Sequence, residues 1–177
     1  MQAAGNALGA ELSDLRNYVM ANLLWDPSKS SRKLTDEFLD LHYGRSAGPI
    51  RQFINLTHEN ALASGLHPNC FGRAKDYAID DAITRAGLDA FAEAMKLAEN
   101  ETVRARVEKA SICAYRAAIE PIWYIQDKSS VGPALAKRMQ PLVKSFLELC
   151  KKYGVTHVSE GGGIEAENKR LKRIVGL

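Results

Sequence analysis

Leu12, Leu15, Val19 and Leu23 recur at the three- and four-residue steps of one helix face, and the run stops at Trp25-Asp26-Pro27. A second stripe of Leu34, Phe38 and Leu41 ends at Gly44, so the spacing predicts two helices joined by a short turn. Ser46 stands where it could cap a third helix with Pro49 in its first turn; Ile50, Phe53, Ile54, Thr57 and Ala61 would form its buried face as far as Ser64-Gly65. Residues 66–77 lose the periodicity and read as an ordered loop or a short helical turn.

Asp80 or Asp81 starts a fourth helix with Ile83, Phe91 and Met95 on its stripe, filled in by Ala86, Ala90 and Ala94. Asn100 caps a fifth. It has Val103, Val107, Ala110, Ala114 and Ala117 on one side and Ile112, Tyr115 and Ile119 on another, the pattern of a central helix. Pro121 should end or kink it. A sixth helical region follows Gly132-Pro133 with an interruption at Pro141, carries Leu142, Phe146, Leu149 and Tyr153, and ends at Gly154 as a left-handed cap. The glycines at 161–163 lead into a short helix over 165–174, and residues 155–158 are the single credible strand. The expectation is an all-α bundle of about six main helices with at most one short strand near the C-terminus.

The charge balance adds little to this picture. A net charge of +3 over 177 residues gives no whole-molecule reason to expect nucleic acid or an acidic membrane as partner. No apolar run approaches the roughly 20 residues that span a bilayer, so a soluble domain without a transmembrane segment is expected. The N-terminus lacks the basic start and long apolar centre of a secretory signal; the export signal of any parent protein would lie upstream. Cys70, Cys113 and Cys150 are odd in number and widely spaced, which argues against a disulfide framework or a zinc site.

The helical hairpin at the start of the chain carries more than periodicity. Glu11-Leu12, Leu15-Arg16, Tyr18, Leu-Leu-Trp-Asp-Pro at 23–27, Glu37-Phe38 and Tyr43-Gly44 form a series that resembles the bacterial, glycoside-hydrolase-like family called domain of unknown function 4838. Residues 153–161 resemble a later segment of that family more weakly, and the stretch between carries little of the resemblance. The family is similar to α-glucuronidase-type enzymes in placing a catalytic (β/α)8 barrel ahead of a helical region. A barrel needs roughly 250 residues and eight strands, so it cannot be contained here. The resemblance implies that residues 1–10 are the remnant of a preceding barrel loop and that residues 11–177 are a single helical domain, with the missing N-terminal barrel as its partner.

On that reading the chain alone is non-catalytic and the parent is a carbohydrate-active enzyme. The helical region would support the barrel, the glycan-binding cleft or a subunit interface, including one of a homo-oligomer. The alternative is a stand-alone helical interaction or oligomerisation module with no enzymatic role. Gln2, Asn6, Glu11 and Arg16 are the substrate-binding candidates the resemblance implies, and only in a full-length parent. Glu11 can equally favour the first helix by complementing its dipole.

Other chemistry finds less support in the residues. His58-Glu59 begins a zinc-protease pattern, but residue 62, where the second histidine belongs, is leucine. The nucleophile elbow, P-loop and dinucleotide fingerprint are all absent from the sequence, so no cofactor or metal is expected. Lys169, Arg170, Lys172 and Arg173 are diluted by Glu165 and Glu167 and read as a solvated helix face. Trp25 and Trp123 could stack on sugars, but each ends an apolar helix and is expected to pack at a helix junction.

Overall fold

The computed structural model describes residues 12–67, 69, 72–158 and 163–177. It runs α1 (Ser13–Trp25), α2 (Ser31–Tyr43), α3 (Ala47–Ser64), α4 (Asp81–Leu97), α5 (Glu101–Ala118), α6 (Glu120–Trp123), α7 (Pro133–Lys152) and α8 (Ile164–Val175). A 3₁₀ turn at Gly44–Ser46 joins α2 and α3 without a break, which leaves seven helices and an all-α bundle among the described residues. Residues 155–158 do not form a strand; His157 makes an isolated antiparallel bridge to Gly163.

Several helix ends are set by the residues that marked them in the sequence. The Asp80 carboxylate accepts from the Ala82 and Ile83 amides, both at 2.9 Å, and Asn100 Oδ1 accepts from the Val103 amide at 2.9 Å. Each satisfies donors that a helix start leaves unpaired. At the end of α7, Gly154 adopts φ +65°, which lets its amide reach Lys151 O and the Val155 amide reach Cys150 O at 2.9 Å. Val155 and Cys150 are both buried, giving the apolar contact that completes this type of cap. Burial alone pushes the Cys150 thiol up to about 12. Cys70 lies outside the described residues.

The interior has two apolar clusters that share α5. Leu39, Ile50, Phe53, Ile83 and Phe91 gather with Val103, Val107 and Ala114 of α5 in the first. Ile112 of α5 and Ile119 just after it join Ile122, Val143, Phe146, Leu171 and Ile174 in the second. The central position expected of this helix is therefore observed. Gly87 permits the tight approach of α4 to α3: a Cβ there would stand 2.8 Å from Phe53 Cε2.

Other expectations also need correction. Leu41 is 76% exposed, and Leu39, two residues earlier, takes the buried place beside Phe38. Both choices suit a helical stripe, but α1, α3 and α5 cover only the side bearing Leu39. Ser46 does not cap α3; its own backbone is helical and its buried hydroxyl donates to Ala94 O at 2.7 Å, near the end of α4. Pro141 does not interrupt α7, because it lies on the exposed face, where water can serve the carbonyl left without its usual amide donor. The basic face of α8 is only partly solvated, since Arg170 donates to Ile125 O at 2.7 Å and Arg173 to Gln126 O at 2.9 Å.

His42 lies at the junction of α2 with α1 and α5, stacked on Phe38 with ring centroids 4.6 Å apart. Burial lowers its pKa from 6.5; the positive charges of Arg106 and Lys109 act in the same direction, and Asp14 opposes them. Below about pH 6.5 the unfolded chain accordingly takes up a proton that the folded chain resists. The urea midpoint should fall as pH drops through and below that value, and this component should vanish in His42→Gln. An equal decline in both proteins would remove His42 as its source.

Candidate interaction groove

The described residues of the α1–α2 series that carries the resemblance form one connected structural unit. Tyr18 on α1 lies against Phe38 on α2 with ring centroids 5.4 Å apart, and its hydroxyl donates to Glu37. Tyr43 is buried and meets Phe38 edge-on at 6.3 Å. Gly44 follows at φ +52°, a backbone conformation that side chains disfavour, and turns the chain into the 3₁₀ segment. Asp26 ends α1 by accepting from the amide and hydroxyl of Ser28 at 3.0 and 2.7 Å. Those bonds hold its carboxyl below the usual carboxylate range.

This unit forms one side of a groove of about 1000 Å³ between α1, α2 and α3. Leu15, Leu39 and Ile54 form a buried floor, while Val19 and Met20 rise along the α1 wall. On the opposite side Arg51 of α3 pairs with Asp36 and, at 2.7 Å, with Asp40, tying α3 to α2. Arg16, Arg32 and Arg51 among the lining residues are balanced by Asp36, Asp40 and Glu59. An apolar floor with a mixed, charge-balanced rim suits a helix or peptide segment better than a polyanion.

Of the sequence-based site residues, Arg16 is exposed on the rim of this groove. Gln2, Asn6 and Glu11 lie outside the described residues. The structure adds the Arg51 bridge, which sequence reasoning missed; its signal was the one-turn spacing of Asp36 and Asp40, which places two carboxylates on one helix face. Among the described residues no group of three histidine, cysteine, aspartate or glutamate side chains could hold a metal ion. No described helix is long and apolar enough to cross a membrane.

The two tryptophans have different surroundings. Trp123 packs as expected, edge-on to Phe146 at 5.9 Å, with the Arg116 guanidinium 3.6 Å above its ring. Trp25 does not: it is 90% exposed, and the preceding Leu24 is 69% exposed. The chain reverses immediately after α1, so Trp25 stands at the tip of the hairpin, uncovered by the described residues. These two residues and Leu41 leave apolar surface uncovered at both ends of the α1–α2 pair.

Residues 1–55 match the family model described as Domain of unknown function (DUF4838). The match takes in α1, α2 and the first half of α3. No curated protein and no solved structure matches the chain.

Proposed function

We propose that this chain is the helical accessory region of a glycoside-hydrolase-like protein, non-catalytic by itself, which docks against a catalytic barrel through the α1–α2 hairpin and its groove. The observation that supports this reading is the placement of uncovered apolar surface. Leu24, Trp25 and Leu41, together with an open apolar groove, lie within or beside the segment that matches the family model. Exposed apolar surface beside such a groove is the usual mark of an interaction site. A glycan substrate would then be bound by the assembled protein, with Arg16 on the groove rim beside the junction.

The deciding experiment is the size of the native polypeptide in its source cells, detected with an antibody against this chain and confirmed by peptide mapping. A species larger by at least a barrel, roughly 250 residues, is the expected result. One near 19.5 kDa would overturn it and leave the stand-alone interaction module.

The exposed hairpin tip also favours self-association of the isolated chain. Sedimentation equilibrium should show a concentration-dependent dimer that Trp25→Ser weakens about tenfold or more, as expected for loss of a buried aromatic anchor. A monomer at all concentrations would show that the tip is not self-complementary.

A further inference from the structure

A second cavity, which adjoins the groove across Thr57, Tyr77 and Ile79, opens between α3, α4, α5 and a 3₁₀ turn at Ala74–Tyr77. Its volume is about 270 Å³. Phe53, Ile83, Gly87, Ala114 and Ala117 supply an apolar floor, and Ala114 and Ala117 leave room that larger side chains would fill. Two arginines stand at its mouth in different electrostatic states. Arg116 is neutralised by Glu120 at 2.6 Å and fixed on the Trp123 ring. The other Glu120 oxygen accepts from the Ala74 amide at 3.3 Å, so this carboxylate also anchors the turn. Arg73 lies over the Tyr124 ring at 4.5 Å and has no ion pair among the described residues. The nearby Asp76 carboxylate is engaged by the Arg73 backbone amide at 2.8 Å.

We infer that this cleft binds a small aromatic carboxylate, its ring on the apolar floor and its carboxylate at the Arg73 guanidinium. Size and chemistry agree. A benzene ring occupies an apolar cavity of about 150 Å³, so this volume accepts one ring and a charged substituent. A free sugar is a poorer occupant, because its hydroxyls would lose water against the apolar floor, beside which the Thr57 hydroxyl already donates to Phe53 O at 2.8 Å. A simple inorganic anion would leave the floor unfilled. The fork of an arginine matches a carboxylate in two parallel hydrogen bonds, and its position on the Tyr124 face restricts it in advance. This inference is independent of the docking role proposed above.

The test is a benzoate titration of the full chain followed by amide NMR, with benzyl alcohol as the neutral counterpart. Saturable shifts are expected at Gly87, Ala114 and Ala117 and at the Trp123 indole, with benzyl alcohol binding at least about tenfold more weakly. Ala117→Leu should fill the floor and abolish the shifts. Arg73→Gln, a change at an exposed residue, should weaken benzoate about tenfold without altering the thermal midpoint, and so keeps the test open if Ala117→Leu fails to fold. No saturable shift with benzoate, phenylacetate or indole-3-carboxylate up to about 10 mM would overturn the site. Equal affinity for benzoate and benzyl alcohol would overturn the role of Arg73, as would undiminished binding by Arg73→Gln.

Discussion

Phe146→Ala should lower stability by about 3–5 kcal/mol, the range for removing a buried aromatic ring from a core. Phe146 is 1% exposed and sits where α7 faces the end of α5, α6 and α8. Its loss would remove more than its own contacts. The ring supports the Trp123 indole edge-on, the indole carries the Arg116 guanidinium on its face, and Arg116 holds Glu120. A tilt of Trp123 into the vacated space would therefore loosen a partly buried ion pair as well as an apolar contact. Against a typical total of about 5–15 kcal/mol this is a large fraction, and thermal unfolding should shift down by roughly 10 °C or more. Phe146→Leu, which keeps most of the volume, should cost about half as much or less. A loss below about 1 kcal/mol for the alanine variant would mean that the surrounding side chains collapse into the site.

Arg170→Met should cost about 2–4 kcal/mol, although it removes what reads in the sequence as a surface charge. The Arg170 side chain is 10% exposed. Its Nε donates to Glu167 at 2.9 Å, and its terminal nitrogens reach Glu167 again, Ile125 O at 2.7 Å and Ile122 O at 3.4 Å. Methionine would fill much of the space but leave a half-buried carboxylate without its cation and the Ile125 carbonyl without the Arg170 donor. Most of the loss should come from those abandoned partners. The double variant Arg170→Met/Glu167→Gln should consequently be more stable than Arg170→Met alone, by about 1 kcal/mol or more in chemical denaturation. If it is less stable, Glu167 has another positive partner in the variant and the pairing argument fails.

These two residues illustrate what was and was not legible in the chain. The apolar spacing marked Phe146 as core, because a helix that buries one face must place its aromatic residues there. Asp80, Asn100, Gly65 and Gly154 were equally readable, since caps depend on local backbone geometry. Arg170 was not readable: its partners are carbonyls 45 and 48 residues away, which nothing near α8 in the sequence indicates. Ser46 misled for a related reason. A serine shortly before a proline has the local form of a helix start, but its hydroxyl is claimed by Ala94 O, 48 residues along the chain. Leu39 and Leu41 could be separated only once α1, α3 and α5 defined the covered side of α2.

For the candidate groove, the sequence supplied the hairpin that forms one wall and Arg16 on its rim. It could not supply the concavity, which needs Ile54 and Arg51 of α3 brought alongside. The exposure of Trp25 was hidden for the same reason, because an apolar residue at a helix end resembles a packed one until its neighbours are placed. The cleft beside Gly87 was still less visible. Its small residues are ordinary helix-packing residues in one dimension and become a floor only when α4 and α5 converge.

The sharing of α5 between both apolar clusters bears on how the molecule opens. Neither half can release its helices completely while keeping its own interior, because each interior includes residues of the same central helix. Backbone amides near Val107, Ile112 and Ala114 should therefore exchange with solvent deuterons only through openings that cost nearly the full unfolding free energy, whereas α1, which packs chiefly on α2, can detach and return many times in the life of one folded molecule.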